Sequence, residues 1–301
     1  MNALTIGNFD GVHLGHAALV ERARSLCPGG EVVAVTFEPH PAEVLDTRNC
    51  PPRLTTSARR RELLEALGVD RVVELEPTPD LLGLDGDAFI EHLRASLPFD
   101  VVVEGPDFRF GRHRASGIAQ LQDIGRNLGF DVELVEERRV VLEDRTELEV
   151  RSTAIRWLLA HGRVVDAARA LGRPHQATGV VVKGDQRGRD LGYPTANLGQ
   201  QHELLPADGV YAGRAILPDG SPLPAAISVG TKPTFGASDR VCEAHLIDHD
   251  APLDDYGWPI RVEFTRYLHP QYAFDGVEPL IERMARDCDE VRLFSGELNT
   301  S

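Results

Sequence analysis

Across Arg173-Pro174 the periodicity of this 301-residue chain changes, and no single sheet architecture suits both sides of that point. On the N-terminal side, Ala3-Leu4-Thr5-Ile6, Glu31 to Phe37, Arg71 to Glu74 and Asp100 to Glu104 read as strands. Between them, Ala17 to Arg24, Arg59 to Leu67 and Ala88 to Ala95 read as helices. Apolar strands alternating with helices predict a parallel sheet covered by helices. On the C-terminal side, Thr178 to Lys183, Val210 to Leu217, Ala225 to Val229, Val241 to Ile247 and Ile260 to Phe264 are short strand candidates divided by Gly-, Pro- and Asp-rich turns. That texture predicts a small β barrel or sandwich. Val277, Leu280, Ile281 and Met284 recur at helical spacing and predict one helix over Val277 to Cys288, with a mobile polar tail from Ser295 to Ser301. The expected division is an α/β domain over residues 1–172 and a small β domain with a terminal helix over residues 173–301.

Acidic residues outnumber basic ones by 47 to 32, giving a formal net charge of -15. This balance opposes sequence-independent attraction to nucleic acid or to an anionic membrane. A phosphorylated ligand must therefore find local positive charge. The longest apolar stretches, such as Val32-Val33-Ala34-Val35, are far shorter than a membrane span, and the first residues show no secretory signal pattern. A cytoplasmic protein without nucleic-acid or membrane partners is expected. Cys27, Cys50, Cys242 and Cys288 form neither a CxxC pair nor a paired zinc-ligand pattern, and are expected to be core thiols.

The first strand runs into Gly7-Asn8-Phe9-Asp10-Gly11-Val12-His13-Leu14-Gly15-His16, and a helical pattern follows at once. Glycines let backbone approach a ligand closely, and the NH groups and positive end of the helix favour phosphate oxygens. His13 and His16 are three residues apart and share one helix face. Such a pair suits hydrogen-bond donation to a phosphate, but a surface pair or a metal-binding pair has the same spacing.

The full string GNFDGVHLGH resembles the signature of the HxGH nucleotidylyltransferases, especially the bacterial bifunctional riboflavin kinase/FAD synthetases. The resemblance implies a Rossmann-like N-terminal domain that transfers an adenylyl group from ATP to FMN. It makes His13 and His16 catalytic, and Gly7, Phe9, Asp10 and Gly11 nucleotide-binding. Val35-Thr36-Phe37-Glu38-Pro39-His40-Pro41 resembles the TFEPHP segment of the family, which implies a flavin or nucleotide pocket lined by His40 and Pro41. Gly105-Pro106-Asp107-Phe108-Arg109-Phe110-Gly111 resembles its G-x-D/N-F-x-F-G segment, so Asp107 and Phe108 are expected to contact flavin. Ser152-Thr153-Ala154-Ile155-Arg156 opens another helix, with Ser152 expected as its N-cap. The resemblance implies phosphate binding by Ser152 and Thr153 and a catalytic Arg156. Arg151 stands where the family commonly has a serine, and the family commonly carries a longer lead than Met1-Asn2 before the first strand.

In the C-terminal half, Gly179 to Gly192 is rich in glycine and carries Lys183, Arg187 and Arg189, without the GxxxxGK[ST] of a P-loop. Thr195 and Asn197 alternate on extended backbone, which sends both side-chain oxygens to one side, where they can assist a nucleotide-bound magnesium ion. Leu191-Gly192-Tyr193-Pro194-Thr195-Ala196-Asn197 resembles the LGxPTAN signature of riboflavin kinases. That resemblance implies a Mg²⁺ site at Thr195 and Asn197, ATP contacts at Gly179, Lys183 and Gly184, and a β-barrel riboflavin kinase domain. Gly209-Val210-Tyr211, the loop Gly230-Thr231-Lys232-Pro233-Thr234-Phe235 and Cys242-Glu243-Ala244-His245-Leu246 also resemble family segments, and Glu243 is implied as general base toward the ribityl hydroxyl. His269 and Ala273 depart from the arginine and lysine common there, while Phe274-Asp275 matches. The implied chain of reactions has riboflavin, FMN, FAD and ATP as its partners.

Overall fold

The computed structural model describes residues 1–184, 187–231, 240–249 and 256–298. It divides into two compact units, one of Met1–Pro52, Thr56–Val140 and Leu148–Ser152, the other of Arg53–Thr55, Val141–Glu147 and Thr153–Ser301. In chain order the elements begin β1 (Ala3–Ile6), α1 (Leu14–Leu26), β2 (Val32–Phe37), α2 (Pro41–Leu45), α3 (Ser57–Ala66), β3 (Arg71–Leu75), α4 (Pro79–Gly83) and α5 (Gly86–Ser96). They continue with β4 (Val101–Glu104), α6 (Ile118–Leu128), β5 (Asp131–Leu134), the paired strands β6 (Arg139–Val141) and β7 (Glu147–Glu149), α7 (Ser152–Ala160) and α8 (Val164–Leu171).

In the first unit, five parallel strands form one sheet in the order β3-β2-β1-β4-β5. Side chains alternate across a strand, so neighbouring residues enter different cores. On one face Leu4, Ile6, Val33, Val35 and Val102 pack with Phe89, Ile90 and Leu93 of α5 and with Leu121 and Ile124 of α6. On the other, Ala3, Val32, Ala34, Val101 and Val103 pack with Val20 and Ala23 of α1 and Leu64 of α3. Burial on both faces is what makes β2 and β4 read as unbroken apolar runs. The strand order reverses between β1 and β4, and in such sheets ligands bind beyond the carboxyl ends of the strands at that reversal. The ladder between β1 and β4 pairs Ala3 with Val101 and Leu4 with Val102. Two residue pairs farther on, the Glu104 carboxyl accepts the Ile6 N–H at 2.6 Å.

The second unit contains β8 (His175–Val182), α9 (Arg187–Asp190), β9 (Thr195–Gly199), β10 (Gly209–Ile216), β11 (Pro222–Thr231), β12 (Arg240–Leu246), β13 (Pro259–His269) and α10 (Val277–Leu298). Six of its strands close a barrel in the order β10-β11-β12-β9-β8-β13, antiparallel at every junction. Tyr211, Ile227, Val229, Ala244, Val262 and Phe264 are fully buried, as the alternation of these strands requires. Helix α10 extends to Leu298, ten residues beyond the expected Cys288 and through the first part of the segment expected as a tail. Its apolar stripe continues from Cys288 to Val291 and Phe294, which pack with Ala212 and Ile247. Residues 299–301 of that expected tail lie outside the described residues.

Candidate active sites

Beyond β1, three residues of the glycine-bearing turn adopt left-handed backbone: Phe9 (φ 47°), Gly11 (φ 84°) and Val12 (φ 39°). For a β-branched valine this is a costly conformation, of the kind held in place at ligand-binding turns. The Phe9 ring is buried in the core and meets His16 edge-on at 5.1 Å, so it supports the turn from within. His13 is the N-cap of α1 rather than a residue on its face, and His16 is the third helical residue. Each closes the other's backbone: the His16 N–H donates to His13 Nδ1 at 3.4 Å, and the His13 N–H to His16 Nδ1 at 3.3 Å. The two rings stack with centroids 3.6 Å apart and planes 16° from parallel. Because both Nδ1 atoms accept, the neutral tautomer of each ring carries its proton on Nε2. The capping box thus serves as a tautomer lock that sets the proton of each stacked ring on Nε2. A Cβ on Gly15 would stand 3.1 Å from the His13 ring, so the stack also requires a glycine there.

Ser152 does not cap α7 but begins it, and its hydroxyl donates to the Asp10 carbonyl at 2.8 Å. A tertiary bond to the turn replaces the expected local cap. Asp10 itself is buried. Thr153 is exposed, and Arg156 lies half-buried one helical turn beyond Ser152. His40 caps α2 through its Nδ1, which accepts the Ala42 N–H at 3.1 Å, with Pro41 as the first helical residue. His40 Nε2 stands 3.0 Å from the Asn8 amide, which brings the second loop to the first. Phe108 is half-buried and stacks on Phe110 at 5.3 Å, while Asp107 is exposed.

On the barrel, Thr195 and Asn197 point to one face of β9, with Ala196 and Leu198 buried between and beyond them. The register sets Asn197 opposite Glu243 and Thr195 opposite His245 on β12. All four are half-buried and form a patch of oxygen and nitrogen groups across two strands. His245 Nδ1 donates to the Pro194 carbonyl at 2.8 Å, and its ring meets Tyr193 edge-on at 5.3 Å. Gly184 presses on the Asn197 amide so closely that a Cβ there would stand within 2.5 Å of all three amide atoms. At the close approach of β8 and β9, a Cβ on Gly179 would stand 2.6 Å from the Gly199 carbonyl. Lys183, just past β8, is exposed. An amide, a hydroxyl and a carboxylate in register fit a hard cation, which takes oxygen ligands and keeps several from phosphate and water. Among the described residues no group of three or more His, Cys, Asp or Glu side chains could hold a metal ion. Of the Gly230–Phe235 loop, Lys232 to Phe235 lie outside the described residues.

Residues 1–148 match the FAD synthetase family and residues 171–295 the riboflavin kinase family. The bifunctional riboflavin kinase/FMN adenylyltransferase of Escherichia coli (strain K12) is 34% identical over 300 residues, covering 97% of this chain and 92% of that protein. The chain belongs to the bifunctional riboflavin kinase/FMN adenylyltransferase family. The family member of that name from Listeria monocytogenes is 30% identical over 302 residues, covering 98% of this chain and 93% of its own. A solved structure from Streptococcus pneumoniae, titled a macrolide-efflux protein, matches with TM-score 0.85 and 26% identity over 97% of this chain and 93% of that one.

Against the family pattern, Arg151 brings no unbalanced charge. It pairs with Glu149, with Glu137 at 2.8 Å and with Asp107 at 3.4 Å, and the Glu149 carboxylate pushes its pKa up further. His269, another departure, is buried: Nδ1 donates to the Pro270 carbonyl at 2.6 Å, and Nε2 lies 2.9 Å from Asp287 of α10. Three residues with clear places at these sites escape sequence reasoning. Glu104 ends a run of valines, Arg60 sits inside a run of arginines, and His245 follows the glutamate that draws the attention. Cys27, Cys242 and Cys288 are buried, and burial pushes all three thiols up, as expected of core cysteines. Among the described residues no helix is long and apolar enough to cross a membrane.

Proposed function

We propose that this chain converts riboflavin to FMN on its barrel and FMN to FAD at the turn after β1, consuming one ATP in each step. The functional boundary is placed at residues 172 and 173. In the first step Glu243 orients the ribityl 5′-hydroxyl and accepts its proton as the oxygen attacks the γ-phosphorus of ATP, releasing ADP. Thr195 and Asn197 would hold Mg²⁺, whose charge offsets repulsion between the phosphates. Gly179, Lys183 and Gly184 receive the nucleotide, the glycines by close backbone approach and the lysine by charge.

In the second step an oxygen of the FMN phosphate attacks the α-phosphorus of ATP and pyrophosphate leaves. This exchange of one phosphorus–oxygen bond for another needs no proton transfer at the nucleophile, so the work of the protein is alignment and charge stabilisation. His13 and His16 donate their Nε2–H groups to the oxygens on which charge builds. The backbone of Gly7, Phe9, Asp10 and Gly11 receives the phosphates, with Phe9 contributing through its main chain because its ring is buried. Ser152, Thr153 and Arg156 are assigned to the same phosphates by their place in the motif, and His40, Pro41, Asp107 and Phe108 to the flavin. The buried thiols of Cys27, Cys242 and Cys288 and the demand for ATP suit the cytoplasm.

The observation that carries this reading is the reciprocal His13–His16 capping box, which fixes two donors where the strand order reverses. Variants separate the steps. His16→Ala is expected to lower FAD formation from supplied FMN by about 10² to 10³ while sparing riboflavin phosphorylation. Asn197→Ala is expected to do the opposite. Loss of both activities in either variant, with its fold intact, contradicts two separate sites.

A further inference from the structure

Arg60 is the buried member of the Arg59-Arg60-Arg61 run. From α3 its Nη1 donates to the Asn8 carbonyl at 3.3 Å, and its Nη2 to the Phe37 carbonyl at 3.2 Å and the Glu38 carboxylate at 2.9 Å. The Asn8 carbonyl also accepts the Thr36 hydroxyl at 3.2 Å, and the Asn8 amide meets His40 at 3.0 Å. One guanidinium therefore joins the turn that leads to His13, the end of β2 and the segment that leads to His40.

Its buried Nε–H has no partner among the described residues. Leaving such a group unpaired is costly, and an apolar side chain of similar length would avoid the cost, so stability alone does not account for an arginine here. A planar fork with several donors does, because it spans two carbonyls and a carboxylate at once, which an ammonium point charge cannot.

We infer that Arg60 is a positioning residue for adenylyl transfer, holding the phosphate-binding turn and the His40 segment in one mutual register. The inference rests on the assignment of that step to the N-terminal unit. Misplacement of reacting groups by about 1 Å costs roughly 10²-fold in rate, so a loosened register should be visible in kinetics. Its mark is a change in KM for both substrates. A purely structural role would reduce the folded fraction and so lower kcat with KM unchanged.

The test uses the full chain as wild type, Arg60→Met and Arg60→Lys, with ATP and FMN varied in turn and riboflavin phosphorylation measured on the same preparations. In Arg60→Met, KM for FMN and for ATP should rise and kcat/KM for FAD formation fall by about 10- to 100-fold. Riboflavin phosphorylation should stay within about two-fold, since its site is separate. Arg60→Lys should recover part of the loss, because an ammonium reaches one acceptor at a time. If Arg60→Met does not fold, Arg60→Lys decides alone: raised KM values support the inference and wild-type values overturn it. Wild-type KM values in a folded Arg60→Met overturn it whatever happens to kcat. Wild type that makes no FAD from FMN removes the functional reading and the inference together, whereas active wild type with an unchanged variant removes the inference only.

Discussion

Replacing Glu104 with glutamine perturbs the point where β1 and β4 part. The Glu104 side chain is buried, and its Oε1 accepts the Ile6 N–H at 2.6 Å and the Thr5 hydroxyl at 3.4 Å. Burial outweighs both bonds and pushes the carboxyl well above its ordinary value of 4.5, with the negative charge of Asp107 adding to the rise. A group whose folded pKa is raised stabilises the fold fully below its unfolded pKa, and that contribution is lost as pH rises through the folded value. Between the two values the folded chain holds a proton that the unfolded chain has released. Stability then falls by about 1.4 kcal/mol per pH unit on account of this one carboxyl. Glutamine keeps an oxygen for the Ile6 N–H and has no proton to lose. The stability of Glu104→Gln relative to wild type should therefore climb by about 1.4 kcal/mol per pH unit from near pH 4.5, levelling off once the folded carboxyl ionises. Urea unfolding of the two full-length proteins in parallel from about pH 4.5 to about pH 7 measures that difference, with the other titrating groups cancelling between them. The infrared band of a protonated carboxyl, present in wild type and missing in the variant, gives a second readout. A stability difference that stays flat with pH refutes the protonated wedge.

Three further outcomes follow from named contacts. Gly184→Ala forces a methyl group into the Asn197 amide and should raise KM for ATP in riboflavin phosphorylation by roughly 10-fold, leaving adenylylation of supplied FMN unchanged in the same assay. Arg214→Ala strips the cation from Glu263, a nearly buried carboxylate that it meets at 2.6 Å, and should lower stability by about 3 kcal/mol in a calorimetric melt. Arg151→Ala removes an exposed cation from three carboxylates and should change stability by less than about 1 kcal/mol by chemical denaturation.

Much of the fold is legible because its strands carry their burial on their face. Val32 to Thr36 and Val101 to Val103 are buried on both sides and read as largely apolar runs, whereas β5, with Asp131 and Leu134 exposed at the sheet edge, gives no such run. Helix α6 does place Ile118, Leu121 and Ile124 on one side, but Gly117, Gly125 and Gly129 punctuate it as a loop would be punctuated. The site is legible where chemistry is local, as in Thr195 and Asn197 alternating on β9 opposite Glu243. It is hidden where a tertiary partner sets the role. Ser152 looks like a cap, yet its partner is the Asp10 carbonyl, 142 residues away in sequence. The reciprocal cap of His13 and His16 lies outside the Ser/Thr and Glu pattern by which capping boxes are read. Arg60 is indistinguishable from its neighbours as a charge, since only the packing of α3 decides which arginine turns inward.

The central claim is that two chemically different transfers occur on one chain, and the position of phosphorus label distinguishes them. Purified protein is incubated with riboflavin, Mg²⁺ and ATP labelled either at the γ- or at the α-phosphorus, and the flavins are separated by chromatography. The account predicts γ-label in FMN and then in FAD, α-label in FAD alone, and one pyrophosphate released for each FAD. Labelled FMN without FAD, FAD formed only from supplied FMN, or riboflavin recovered unchanged would each contradict it.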